Sequence, residues 1–64
     1  MSDFTPQLKR ILREAGCYYV RAGKGDHEIW HSPKSGCSFP VDQKIKSRHT
    51  ANGVLKQAGL EKQF

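Results

Sequence analysis

The chain predicts a small α+β domain of order α-β-β-β-α. Two observations carry this: amphipathic segments of helical period stand near both ends, and three short runs of strand-forming residues lie between them, separated by four-residue turn signals. With 64 residues there is room for one domain and one small core, close to the size at which burial only just offsets the entropy of folding. The economical way to bury two apolar helix stripes is a single three-stranded antiparallel sheet with both helices on one face, the other face staying wet.

The first helix is expected from Pro6 to Ala15, with Thr5 as N-cap, Pro6 at the first helical position and Gly16 as the stop. Leu8, Ile11, Leu12 and Ala15 form its apolar stripe, and Lys9, Arg10 and Arg13 read as a solvated face. Strands follow at Cys17 to Ala22, His27 to Ser32 and Cys37 to Val41, joined through Gly23 to Asp26 and Pro33 to Gly36 as consecutive hairpins. In the third strand Cys37, Phe39 and Val41 alternate with Ser38 and Pro40, and the proline places that strand at a sheet edge. The faces of the first two strands stay open, since Tyr18 and Val20 compete with Cys17 and Tyr19, and Trp30 with Ile29. Tyr18, Tyr19, Phe39 and Trp30 are all read as core. The closing helix is expected from Arg48 to Ala58, capped by Ser47 or Thr50, with Ala51, Val54, Leu55 and Ala58 inward and Gly59 as its stop. Gly53 weakens its middle by about 1 kcal/mol relative to Ala.

Eleven Lys and Arg against six Asp and Glu give a net charge of +5, which favours an anionic partner. A membrane span is excluded, because no apolar run approaches the roughly 20 residues one needs. The stretch Met1 to Gly16 has no continuous apolar h-region, so the expected location is the cytoplasm. There, Cys17 and Cys37 are expected to be reduced core thiols. Neither belongs to a C-x-x-C or H-x-x-x-H pair, so no metal site is read from them.

His27 is the residue with the most chemistry. It follows the Gly23-Lys24-Gly25-Asp26 turn and opens the second strand, placing an imidazole, with a reference pKa of about 6.5, at a strand entrance. Arg21 and Lys24 lie close in sequence and Lys34 belongs to the next turn, so these three cations are the candidates for holding phosphate. A histidine so placed is ordinarily just a surface residue. His31 shares a strand face with His27, about 13 Å along it; His31 and His49 are read as solvent-facing or capping groups.

Taken together, Leu8-Lys9-Arg10-Ile11-Leu12-Arg13-Glu14-Ala15-Gly16, the aromatic strand with Arg21, the Gly25-Asp26-His27 turn, Phe39-Pro40-Val41 and Val54-Leu55-Lys56-Gln57-Ala58-Gly59-Leu60 look like the HicA family, small toxins of bacterial and archaeal toxin-antitoxin systems. The resemblance runs from about residue 8 to residue 60, so that 1–64 reads as a single HicA-like domain. It implies a fold like the double-stranded RNA-binding domain and an mRNA interferase neutralised by a HicB-type antitoxin. It also implies that His27 is the catalytic histidine. Asp26 stands where many members have serine, which implies a carboxylate able to orient the ring, to stabilise its protonated form or to repel a phosphate. Many members carry a second histidine after the third strand, where this chain has Asp42 and Gln43.

The expected function is therefore that of a toxin acting as a metal-independent endoribonuclease on mRNA, with no cofactor. Two alternatives have the same fold and charge: a non-catalytic RNA-binding module, and a basic domain that only docks an acidic protein.

Overall fold

A computed structural model describes residues 3–64. The order is α1 (Thr5–Glu14), β1 (Tyr18–Ala22), β2 (His27–Ser32), β3 (Cys37–Asp42) and α2 (Arg48–Gln57), with the strands forming one antiparallel sheet in the order β1-β2-β3. The expected α+β architecture is thus observed, and the Pro40 strand lies at an edge. No helix of the described residues is long and apolar enough to cross a membrane.

Both helices end in the same way. Gly16 and Gly59 take φ of +91° and +79°, which turns the chain back so that two backbone N–H groups reach the last helical carbonyls. Gly16 and Cys17 donate to Arg13 and Leu12; Gly59 and Leu60 donate to Lys56 and Leu55. The helix starts depart from expectation. Thr5 is not a cap but the first helical residue, 5% exposed, and its hydroxyl accepts the Ile45 N–H at 2.8 Å. The buried Ile45 amide has first claim on that oxygen, so Asp3 Oδ1 takes the Thr5 N–H instead, at 3.1 Å. These hydrogen bonds from Thr5 lower the Asp3 pKa. Ser47 does stand at the N-cap of α2, as expected, in extended geometry, but its side chain makes no capping hydrogen bond.

Along β2 and β3 one alternating set, Trp30, Phe39 and Val41, points into the core, where it meets Leu8 and Leu12 of α1 and Ala51, Leu55 and Ala58 around α2. Each such Leu, Val or Phe contributes about 1.5–3 kcal/mol on burial. At the far end of β2, buried Ser32 donates to the Ala58 carbonyl at 2.6 Å, fastening sheet to helix.

Three burial expectations need correction. Tyr18 and Tyr19 are 54% and 51% exposed rather than core, since β1 is an edge strand and its register slips between Tyr19 and Arg21. Cys37 is exposed while Cys17 is buried, both thiols being free; on the last rung of the β2–β3 hairpin it is the paired Ser32 that meets α2. Nor are Lys9 and Arg13 simply solvated. Lys9 Nζ lies 3.1 Å from Glu28 Oε1, and the Arg13 guanidinium sits 5.6 Å from the centre of the Trp30 ring.

Candidate active site

The β1–β2 turn brings the chain back sharply. Gly23 donates to the His27 carbonyl at 2.8 Å, and a Cβ on Gly23 would come within 3.2 Å of that oxygen and of Ile29 Cδ1. A side chain at this position would press on the turn, whose atoms would have to give by a few tenths of an ångström. The His27 N–H closes the turn on the Lys24 carbonyl at 3.3 Å, and His27 is left as the first residue of β2, on the sheet face away from the Trp30 set.

Across the β2–β3 ladder, the residue opposite His27 is Asp42, and both side chains stand on that same face. Their contact is direct: His27 Nδ1 lies 2.5 Å from Asp42 Oδ1. The side chains remain 48% and 45% exposed, so the pair is open to a ligand. A carboxylate on Nδ1 favours the tautomer with its proton on that nitrogen and leaves Nε2 free to meet a ligand. It is Asp42, not the neighbouring Asp26, that takes the orienting place. Asp26 is exposed in the turn.

The structure gathers two of the three candidate cations around this corner. Arg21 pairs with Ile29 and therefore shares the face of His27; its guanidinium donates to the Ala22 carbonyl at 3.3 Å and is exposed. Lys24 is exposed in the turn itself. Lys34 is not brought to them. It sits in the β2–β3 turn, beyond the whole length of β2, roughly 17 Å away at 3.3–3.4 Å per residue, beside Glu14 of α1 and Leu60. His31 is likewise occupied elsewhere, with Nδ1 3.0 Å from Ser38 Oγ and its ring 5.6 Å from that of Tyr18. His49 is exposed in the first turn of α2.

His27 and Asp42 also form one wall of a groove of about 380 Å³ that runs round the β3 edge to α2. Pro40 continues that wall, and Thr50, Gly53 and Gln57 face it from the helix. The α2 side of the site carried no signal in the reading of individual residues. A second groove, between α1 and β1, holds Glu28, but that carboxylate is already engaged. The Trp30 indole N–H, at 3.0 Å, and the Lys9 ammonium hold its pKa below the usual carboxylate value.

Fold and site together define a small cationic α-β-β-β-α domain with a histidine–carboxylate pair at the mouth of an open groove. The chain belongs to the HicA toxin family of bacterial toxin-antitoxin systems: the model of that family, described as HicA toxin of bacterial toxin-antitoxin, matches residues 6–60. Membership implies an antitoxin partner. No curated protein and no solved structure matches the chain significantly.

Proposed function

We propose that this toxin is a metal-independent endoribonuclease that cuts mRNA in the cytoplasm, with His27 as its acid–base residue, and that a HicB-type antitoxin neutralises it by covering His27. The observation that supports this reading is the contact of His27 Nδ1 with Asp42 Oδ1, at a corner that also carries Arg21 and Lys24.

With Nδ1 held by Asp42, Nε2 takes the proton of a ribose 2′-hydroxyl. The freed oxygen attacks the adjacent phosphorus, and the bond to the 5′ oxygen breaks. The protonated ring returns its proton to that leaving oxygen, so the products are a 2′,3′-cyclic phosphate and a 5′-hydroxyl. Proton transfer of this kind contributes about 10²- to 10⁴-fold. Arg21 and Lys24 offset the charge that builds on the non-bridging oxygens. Lys34, at the other end of β2, serves the RNA backbone farther from the cut.

His27→Ala is the test. It removes the acid–base group and leaves the cationic surface, so cleavage in the presence of EDTA should fall at least a hundredfold while the protein stays folded and holds RNA. Undiminished cleavage by folded His27→Ala protein refutes the assignment. RNA binding with no cleavage even by the unaltered protein selects the non-catalytic alternative.

A further inference from the structure

Gly53 lies in the middle of α2, where glycine destabilises a helix relative to alanine, and nothing in its own surroundings requires it. Its φ is not positive, and a Cβ built on it meets no atom within 4 Å. What it faces is the groove whose other wall carries His27 and Asp42. A helical glycine with space above it, directed at the acid–base pair, is a place where room is kept for something outside the chain.

We infer that this groove binds the nucleotide adjoining the scissile phosphate, and that Gly53 sets which base fits. This rests on the nuclease reading and adds the substrate-binding side of the same site. A volume of about 380 Å³ is of the size that holds one small ligand. The Pro40 ring and Val54 offer apolar surface to a flat base, and the Thr50 hydroxyl and Gln57 amide offer donors and acceptors to its edge. Thr50, Gly53 and Gln57 are spaced i, i+3 and i+7, which puts all three on one helix face.

The segment joining the two walls is cationic. Ile45 is 2% exposed and held by two backbone contacts, accepting from Phe4 N–H and donating to Thr5 Oγ1, both at 2.8 Å. That anchor turns its neighbours Lys44 and Lys46 outward, where both are exposed. They stand between the end of β3 at Asp42 and the start of α2, outside the groove lining and close enough to Asp3 to help lower its pKa. They thus add to the positive field on that side of the domain without being assigned a contact to the nucleotide.

The experiment separates binding from cutting. In the His27→Ala chain, which cannot consume its ligand, Gly53→Leu should weaken affinity for a single-stranded RNA oligonucleotide at least tenfold, and Gly53→Ala less, while Gly53→Ala raises the thermal midpoint. Unchanged RNA affinity in folded Gly53→Leu protein overturns the inference. As a readout that needs no variant, adenosine and uridine 3′-monophosphates should shift the backbone amide NMR signals of Thr50, Gly53 and Gln57, and inorganic phosphate should not. Equal shifts with phosphate alone, or none with either nucleotide, overturn it. So does a Gly53→Leu chain that keeps RNA and loses only the antitoxin. If the unaltered protein binds these nucleotides in the groove but never cuts RNA, the nuclease reading fails and the groove assignment stands.

Discussion

Replacing Asp42 with Asn tests whether the carboxylate works through His27 or merely sits beside it. The substitution keeps the size of the side chain and removes the charge that fixes a proton on Nδ1. An amide can also donate to Nδ1, which favours the tautomer with the proton on Nε2 and blocks that atom as a base. The magnitude follows from exposure. Both partners are nearly half open to water, so the pair contributes only about 0–1 kcal/mol to stability, as exposed ion pairs do. The unfolding midpoint should therefore move by no more than about 4–8 °C. For the rate, that 1 kcal/mol of lost preference sets a lower figure of about fivefold, and the 1.5–3 kcal/mol of a charged hydrogen bond an upper figure of about a hundredfold. We expect kcat in single-turnover cleavage to fall about 5- to 100-fold with KM nearly unchanged, and ¹⁵N imidazole spectra of the neutral ring to move from Nδ1-protonated to mixed. The cycle decides: in a His27→Ala background Asp42→Asn should cost nothing more, because a residue acting through another has no effect once that one is gone. An equal loss in both backgrounds would refute the positioning role.

Three further outcomes follow from the packing. Ser32→Ala leaves the Ala58 carbonyl without its 2.6 Å donor in a buried place, which should cost about 1–3 kcal/mol by denaturant titration; a loss below 0.5 kcal/mol would mean that water replaces the hydroxyl. Glu28 titrates below its usual range because Trp30 and Lys9 bond its charged form, so its stabilisation is complete above the unfolded pKa near 4.5 and is lost as pH falls through the lower folded value. Unfolding between pH 7 and pH 3 should accordingly lose more stability in the unaltered protein than in Glu28→Gln, and parallel curves would contradict this. In native protein a thiol reagent should modify exposed Cys37 quickly and Cys17, 4% exposed, only on unfolding; equal rates would show that the Cys17 end of α1 opens.

The helices and strands were legible because each has a local cause. Leu8, Leu12, Ala51 and Leu55 repeat at helical spacing, and the two Ala-Gly pairs stop their helices by hydrogen bonds confined to a few residues. Where the reading failed, the deciding contact was distant in sequence. Thr5 looks like a cap from its neighbours alone, yet its hydroxyl is used by Ile45, forty residues away. Tyr18 and Tyr19 have the composition of core residues and lie outside it because the core is filled from β2 and β3, which no property of β1 reveals. Cys37 obeys the alternation of β3 and is still exposed, since alternation assigns a face and not the extent of the helix that covers it.

The His27–Asp42 pair lies between these cases. His27 was legible from its turn, whereas Asp42 was met only as a departure from a resemblance, although the hairpin already contained it. Antiparallel strands joined by Pro33 to Gly36 pair residues whose numbers have a constant sum: Ser32 meets Cys37, Trp30 meets Phe39, and on the same count His27 meets Asp42. The partner of the imidazole is therefore fixed by the register of the β2–β3 ladder, counted from a turn at the opposite end of the strand. One residue added within that turn, if the core face of β3 kept its register, would be absorbed there and leave the pair intact. One residue added within β3 between Val41 and Asp42 would send the carboxylate to the other face of the sheet. The chemistry of the site thus depends on strand register more than on the residues adjoining His27, which is why a scan of neighbouring residues weighed Asp26 and passed over the carboxylate that makes the contact.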